Sequence, residues 1–120
     1  MSKNSIPAAD VKKICLAWEA GAGSSVIVKN GLIKKLKKAG VDIEVVHSPV
    51  VHLGDQDADV YVCHQGLADT AQSLKPDSVV IRFMMFMNDP AINKLVEDLK
   101  NGNEIVSTWL TKFYRLTLFR

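Results

Sequence analysis

Apolar residues in this chain fall into short dense runs, and the runs alternate with stretches in which apolar positions recur at helical spacing. Ile14-Cys15-Leu16-Ala17 is an unbroken apolar run within Val11 to Trp18, the pattern of a strand covered on both faces. A helix is predicted from Ser24 or Ser25, either of which suits an N-cap, to about Lys38. Val26, Ile27, Ile33 and Leu36 form its expected buried stripe, with lysines opposite and Ala39-Gly40 as the stop. Gly31 weakens that helix by about 1 kcal/mol relative to alanine.

Asp42 to His47 predicts a second strand, broken by Ser48-Pro49, and Val50, Val51 and Leu53 an irregular link that turns at Gly54-Asp55. Asp59 to Cys63 predicts a third strand, Gly66 to Leu74 a second helix, and Ser78 to Phe83 a fourth strand. Asn88-Asp89-Pro90 is a helix start, because proline suits the first helical turn, and that helix runs to about Lys100 before Asn101-Gly102-Asn103.

This order predicts an α/β fold: a single three-layer domain with a four-stranded, mainly parallel sheet and helices on both faces. Residues 1–10 read as a polar lead, 11–103 as the α/β domain, and 104–120 as an apolar and basic extension or a final helix. The last stretch, Trp109 to Arg120, also fits a partner-binding or membrane-surface amphipath, or an added extension.

Composition narrows the function classes. The chain has 120 residues, 48% hydrophobic and 23% charged, which suits one globular domain. A net charge of +2 gives no case for nucleic acid. The basic residues gather on one predicted helix, at Lys29, Lys34, Lys35, Lys37 and Lys38, as a solvated face or a surface for an acidic partner. Cys15 and Cys63, the two cysteines, lie inside strands, so buried free thiols and a reducing compartment are expected. No cysteine or histidine spacing suggests a metal site, and no cofactor is expected. Met1 to Asp10 lacks the apolar core of a signal peptide. The longest apolar stretch, Val79 to Met87, is interrupted by Arg82 and too short to cross a bilayer. A freestanding cytoplasmic protein is expected.

The candidate chemistry sits in Trp18-Glu19-Ala20-Gly21-Ala22-Gly23-Ser24-Ser25, between the first strand and the first helix. A glycine-rich turn there directs backbone N–H groups and the helix N-terminus at an anion. In a parallel sheet that edge also carries the loop Cys63-His64-Gln65-Gly66 and the loop after the fourth strand.

Strand, x-x-A-G-x-G-S-S, helix resembles the IIB component of sugar phosphotransferase systems, nearest to the mannitol type. The resemblance covers roughly Val11 to Lys100, including the Ser48 turn, the strand Asp59 to Val62, Cys63-His64, and Asn88 to Leu99. It implies a small four-stranded α/β domain in which a cysteine at the end of the first strand takes a phosphoryl group from a phosphohistidine on a IIA component. That cysteine then passes the group to a sugar delivered by a membrane-embedded IIC component. The chemistry is intelligible: a thiolate is the nucleophile, a helix N-terminus lowers its pKa, and loop amides stabilise the transferring group.

This chain departs from that pattern where it matters most, because the cysteine position holds Trp18. Cys15 lies three residues upstream, about 10 Å along a strand, inside a covered sheet. Cys63 stands next to His64, but adjacent strand residues point to opposite faces. The resemblance gives His64 an accessory role, donating a hydrogen bond to the anion; an exposed loop histidine is the alternative. Glu19 stands at the site mouth, where it would repel phosphate or remain solvated, and Ser24 and Ser25 combine capping with phosphate binding.

The resulting expectation is a IIB-like protein that keeps the phosphate-cradling residues Glu19, Ala20, Gly21, Ala22, Gly23, Ser24 and Ser25, but carries no phosphate on cysteine. It would act as a docking or regulatory homologue with IIA and IIC partners. Three alternatives stay open: an active phosphocarrier with a displaced cysteine, a module binding phosphate or a sugar phosphate, and an ordinary IIB protein bearing a substituted tryptophan.

Overall fold

In a computed structural model, which describes residues 4–19 and 24–107, the chain runs β1 (Ser5–Pro7), β2 (Lys13–Trp18), α1 (Ser24–Lys38), β3 (Glu44–Pro49), β4 (Val60–His64), α2 (Gln65–Leu74), β5 (Val79–Phe83), α3 (Pro90–Asn101) and β6 (Glu104–Val106). Single 3-10 segments cover Ala8–Asp10 and Val50–Asp55. Residues 108–120, which hold the predicted amphipath and most of the predicted extension, lie outside the described residues, as do Ala20 to Gly23.

The main sheet has the order β3-β2-β4-β5 and all its pairings are parallel. Residue parity then splits the core in two. Ile14 and Leu16 of β2 and Val60 and Val62 of β4 join Val28, Leu32 and Leu36 of α1 and Ile92, Leu95 and Leu99 of α3. Cys15, Ala17, Tyr61, Cys63 and Val80 turn to the other face, against Ala68 and Ala71 of α2 and Val50 and Leu53 of the second 3-10 segment. Covering both faces is why β2 and β4 read as unbroken apolar runs. Each large aliphatic side chain removed from water this way contributes about 1.5–3 kcal/mol.

The helices start and stop near the predicted points, with informative differences. Helix α1 begins at Ser24, so Ser25 stands inside its first turn. Its buried stripe is Val28, Leu32 and Leu36, spaced by four, whereas Val26 and Ile27 are each 53% exposed. The stripe is set by what α1 packs on, the sheet and α3, and that contact rotates the first turn's two β-branched residues into solvent. Strand β3 continues through Ser48 to Pro49 instead of breaking there. It is an edge strand, where a residue without an N–H is tolerated. Helix α3 is capped by the Asp89 side chain and ended by Gly102 at φ 75°, the left-handed position that glycine takes without strain.

The described parts of the predicted lead and extension pair with one another. Strands β1 and β6 form an antiparallel ribbon, Ile6 opposite Ile105, and Ile105 is fully buried in the α1–α3 core. The ribbon also protects the edge of β5. Val80 N donates to Ser107 Oγ at 2.8 Å, and Asn4 Nδ2 donates to Ser78 O at 2.9 Å. Capping part of a sheet edge in this way limits pairing with other chains.

Candidate functional site

The strand order places a crevice between the carboxyl ends of β2 and β4. The chain leaves β2 toward α1 on one face and leaves β4 toward α2 on the other, so the two connections diverge at that point. In open parallel sheets this divergence is where ligands bind. A cavity of about 260 Å³ lies here, lined by Trp18, Glu19, Ser25, His64, Phe83 and Phe86 among others. The sheet thus brings Trp18, Glu19, Ser25 and His64 together as predicted. Of the predicted cradle, Ala20, Gly21, Ala22, Gly23 and the side chain of Ser24 lie outside the described residues.

Trp18 is the last residue of β2 and is half-buried. Its indole meets the His47 ring of β3 edge to face, with centroids 4.3 Å apart and planes at 81°. The His47 pKa is lowered from 6.5, first by loss of hydration and then by the charge of Lys29. Ser25 is buried in the first turn of α1 and contributes to the cavity wall.

His64 is not in a loop. It closes β4 and caps α2, which begins at the next residue. Gly66 N donates to His64 Nδ1 at 3.2 Å, so in the neutral ring the proton sits on Nε2, which is then a hydrogen-bond donor. The ring stacks on Phe86 at 5.6 Å and meets Phe83 edge-on at 5.7 Å. His47, Phe83 and Phe86 were not among the predicted site residues. Phe83 read only as a strand residue, and Phe86 as part of an apolar stretch; the sheet-edge position of the loop after β5 was the one available signal.

The two thiols are removed from this crevice. Cys15 and Cys63 are fully buried, and both belong to the core on the α2 face. Cys63 and His64, adjacent in sequence, therefore face opposite sides of the sheet, as alternation requires. Burial pushes the Cys15 thiol up to about 11, with Lys13 and Lys75 opposing weakly, and the Cys63 thiol up to about 12. Neither holds an appreciable thiolate fraction at neutral pH. A folded-state pKa raised above the ordinary 9.0 means this contribution to stability is full below pH 9 and is lost as pH rises through 11 to 12. Native chain at pH 8 should therefore resist iodoacetamide at both positions, while unfolded chain is alkylated at both. Fast alkylation of Cys15 in the native chain would reopen it as a nucleophile.

Among the described residues, no group of three or more His, Cys, Asp or Glu side chains could hold a metal ion. No described helix is long and apolar enough to cross a membrane.

Comparison with known proteins agrees with this geometry. Residues 13–98 match the family described as "PTS system, Lactose/Cellobiose specific IIB subunit". The chain is 40% identical over 92 residues to a mannitol-specific EIICB component of the same system from Geobacillus stearothermophilus, covering 77% of this chain and 19% of that protein. It is 38% identical over 90 residues to the mannitol-specific EIICB component of Bacillus subtilis, covering 75% of this chain and 19% of the relative. The chain thus spans about a fifth of the length of these relatives. Among solved structures, the lactose-specific IIB component domain from Streptococcus pneumoniae shares the fold, with a TM-score of 0.50 and 16% identity over 77% of this chain and 96% of that one. With a family match across most of its length and relatives up to 40% identical, the chain belongs to the IIB subunit family of the sugar phosphotransferase system.

Proposed function

We propose that this chain is a IIB-type docking or regulatory component that holds an anion at the β2–β4 crevice without carrying a phosphoryl group on cysteine. The observation that carries this reading is Trp18. It ends β2 at the mouth of the crevice, where the family's chemistry calls for a nucleophile, and the chain's two thiols are buried on the opposite face. An indole offers no lone pair for phosphoryl transfer, and a buried thiol is a poor substitute. What the crevice keeps is donor chemistry: the first turn of α1 with Ser25, and the Nε2 proton of His64. Glu19 at the rim disfavours a highly charged anion and weakens binding rather than abolishing it.

Partners on this reading are IIA and IIC components, placing the chain in the cytoplasm beside the membrane. Mannitol is the first substrate class to test, because the relatives named above are mannitol-specific. Incubation with phosphoenolpyruvate and a complete upstream relay should give no phosphorylated chain, read by intact mass. Phosphate on Cys15 or Cys63 would establish the displaced-cysteine alternative.

The aromatic lining of the cavity favours a second reading, a module for a small phosphorylated ligand. Trp18 emission, measured in a Trp109→Phe background, should shift on adding inorganic phosphate or mannitol 1-phosphate. An unchanged spectrum at saturating ligand counts against binding in the crevice.

A further inference from the structure

The turn between β5 and α3 concentrates three of the chain's four methionines in Met84-Met85-Phe86-Met87. Met84 is 63% exposed, Met85 48% and Met87 75%, unusual exposure for side chains of this kind. The backbone of Met84 and Met85 is nonetheless held in place. Asp89 Oδ2 accepts from Met84 N and from Met85 N, each at 2.9 Å, and its Oδ1 accepts from Ala91 N and Ile92 N. Phe86, within the same turn, stacks on His64 and lines the crevice, so the methionines flank a crevice residue in sequence, and Met87 lines a neighbouring groove against Ile27 and Lys34 of α1.

We propose that Met84, Met85 and Met87 are a reversible oxidation site, where a peroxide turns the exposed surface of the β5–α3 turn from apolar to polar. The distribution of sulfur in the fold supports this. Thiols ordinarily react first, but Cys15 and Cys63 are buried and protonated, which leaves the exposed thioethers as the accessible sulfur among the described residues. In the reaction the thioether sulfur attacks one peroxide oxygen. An S–O bond forms and the O–O bond breaks. The departing hydroxide takes up a proton to become water, sulfur loses two electrons, and the peroxide gains them. A thiol-dependent sulfoxide reductase reverses the step, oxidising two thiols to a disulfide and releasing the oxygen as water.

Sulfoxidation changes the surface without dismantling the fold, because these side chains add little to either core cluster. Three neighbouring polar sulfoxides then stand where an apolar partner surface would pack. That last consequence rests on the docking role proposed above; the oxidation itself does not.

The test treats the full chain with hydrogen peroxide at neutral pH and follows peptide masses and binding of an apolar fluorescent dye. Three oxygens should appear on the tryptic peptide 83–94, at rates within about threefold of free N-acetylmethionine amide, since susceptibility follows exposure. Both cysteines should still be alkylated once the oxidised chain is unfolded. Dye binding should fall at least by about half and return with methionine sulfoxide reductase. The Met84→Leu, Met85→Leu, Met87→Leu triple variant keeps the apolar surface and should keep its dye signal in peroxide. Reversal by the reductase on the natural chain serves as the second readout should that variant fold poorly. Oxidation of cysteine ahead of the loop methionines, or an equal loss of dye signal in the leucine variant, overturns the proposal. Neither readout uses the phosphoryl relay, so this result and the failure of the docking role are separable.

Discussion

Replacing Trp18 with cysteine should yield a chain that takes a stoichiometric phosphoryl group from the relay, where the natural chain is expected to take none. The argument is positional. Side chains at 14, 16 and 18 of β2 share the α1 face, and position 18 is where that face opens onto Glu19, Ser25 and His64. A thiol at 18 would be partly solvated and close to the start of α1, conditions that lower a thiol pKa; the buried Cys15 is held up at about 11. The substitution also removes the indole's contact with His47 and part of its packing, a loss of about 1–3 kcal/mol that a domain of this size can absorb. The measurement is acid-labile phosphate on the variant, mapped by mass spectrometry, with Cys15→Ala and Cys63→Ala added in the same chain to remove the other thiols. A folded Trp18→Cys chain that stays unphosphorylated would show that the crevice no longer supports transfer for reasons beyond residue 18. The anion-holding part of the proposed function would then fall.

The largest stability effect is expected from Asp89→Ala. This carboxylate is 3% exposed and accepts from four backbone N–H groups, two of α3 and two of the turn after β5. Removing an N-cap alone costs roughly 1 kcal/mol. Leaving the two turn N–H groups without their charged acceptor adds to this, for a total of about 3 kcal/mol and a Tm fall of roughly 10 °C. Asp89→Asn retains an acceptor oxygen and should lose less. Amide exchange at Met84 and Met85 should speed up in the alanine variant, because those N–H groups lose their protection. A Tm change below about 2 °C would mean that water replaces the carboxylate and the turn holds itself. The same variant should loosen the Phe86–His64 stack, since Phe86 follows directly on the two anchored amides.

Much of this architecture is legible in the chain because strands and helices announce themselves by period. The unbroken runs at Ile14 to Ala17 and Val60 to Cys63 belong to the two central strands, covered on both sides. Asp89-Pro90 marks a helix start for a local reason, a cap followed by a residue needing no N–H partner. Pairing across the ends of the chain leaves no such trace. Three-residue strands at Ser5–Pro7 and Glu104–Val106 are too short to show a period, and their partners lie about a hundred positions apart in the register Ser5 to Val106. The α1 stripe was misplaced for a related reason. Helical spacing is compatible with several faces; the predicted Leu36 is buried, and only the surfaces of the sheet and α3 select Val28 and Leu32 beside it over Val26 and Ile27.

The candidate site divides the same way. Trp18, Glu19, Ser25 and His64 were visible as chemistry at strand ends, since the strand order alone brings those ends to one edge. The rings around them were not, because Trp18 meets His47 and His64 meets Phe83 and Phe86 across strands and turns distant in sequence.

By itself, then, the sequence determined the alternation of strands and helices, the two-sided burial of the central strands, and the absence of a thiol at position 18. Those are local properties, carried by period, capping and residue identity. Only the tertiary structure decided which face of each strand a residue serves. That choice puts Cys63 in the core and His64 beside the crevice, one residue apart, because a pleated strand sends neighbours to opposite sides and the helices packed on each side decide what they meet.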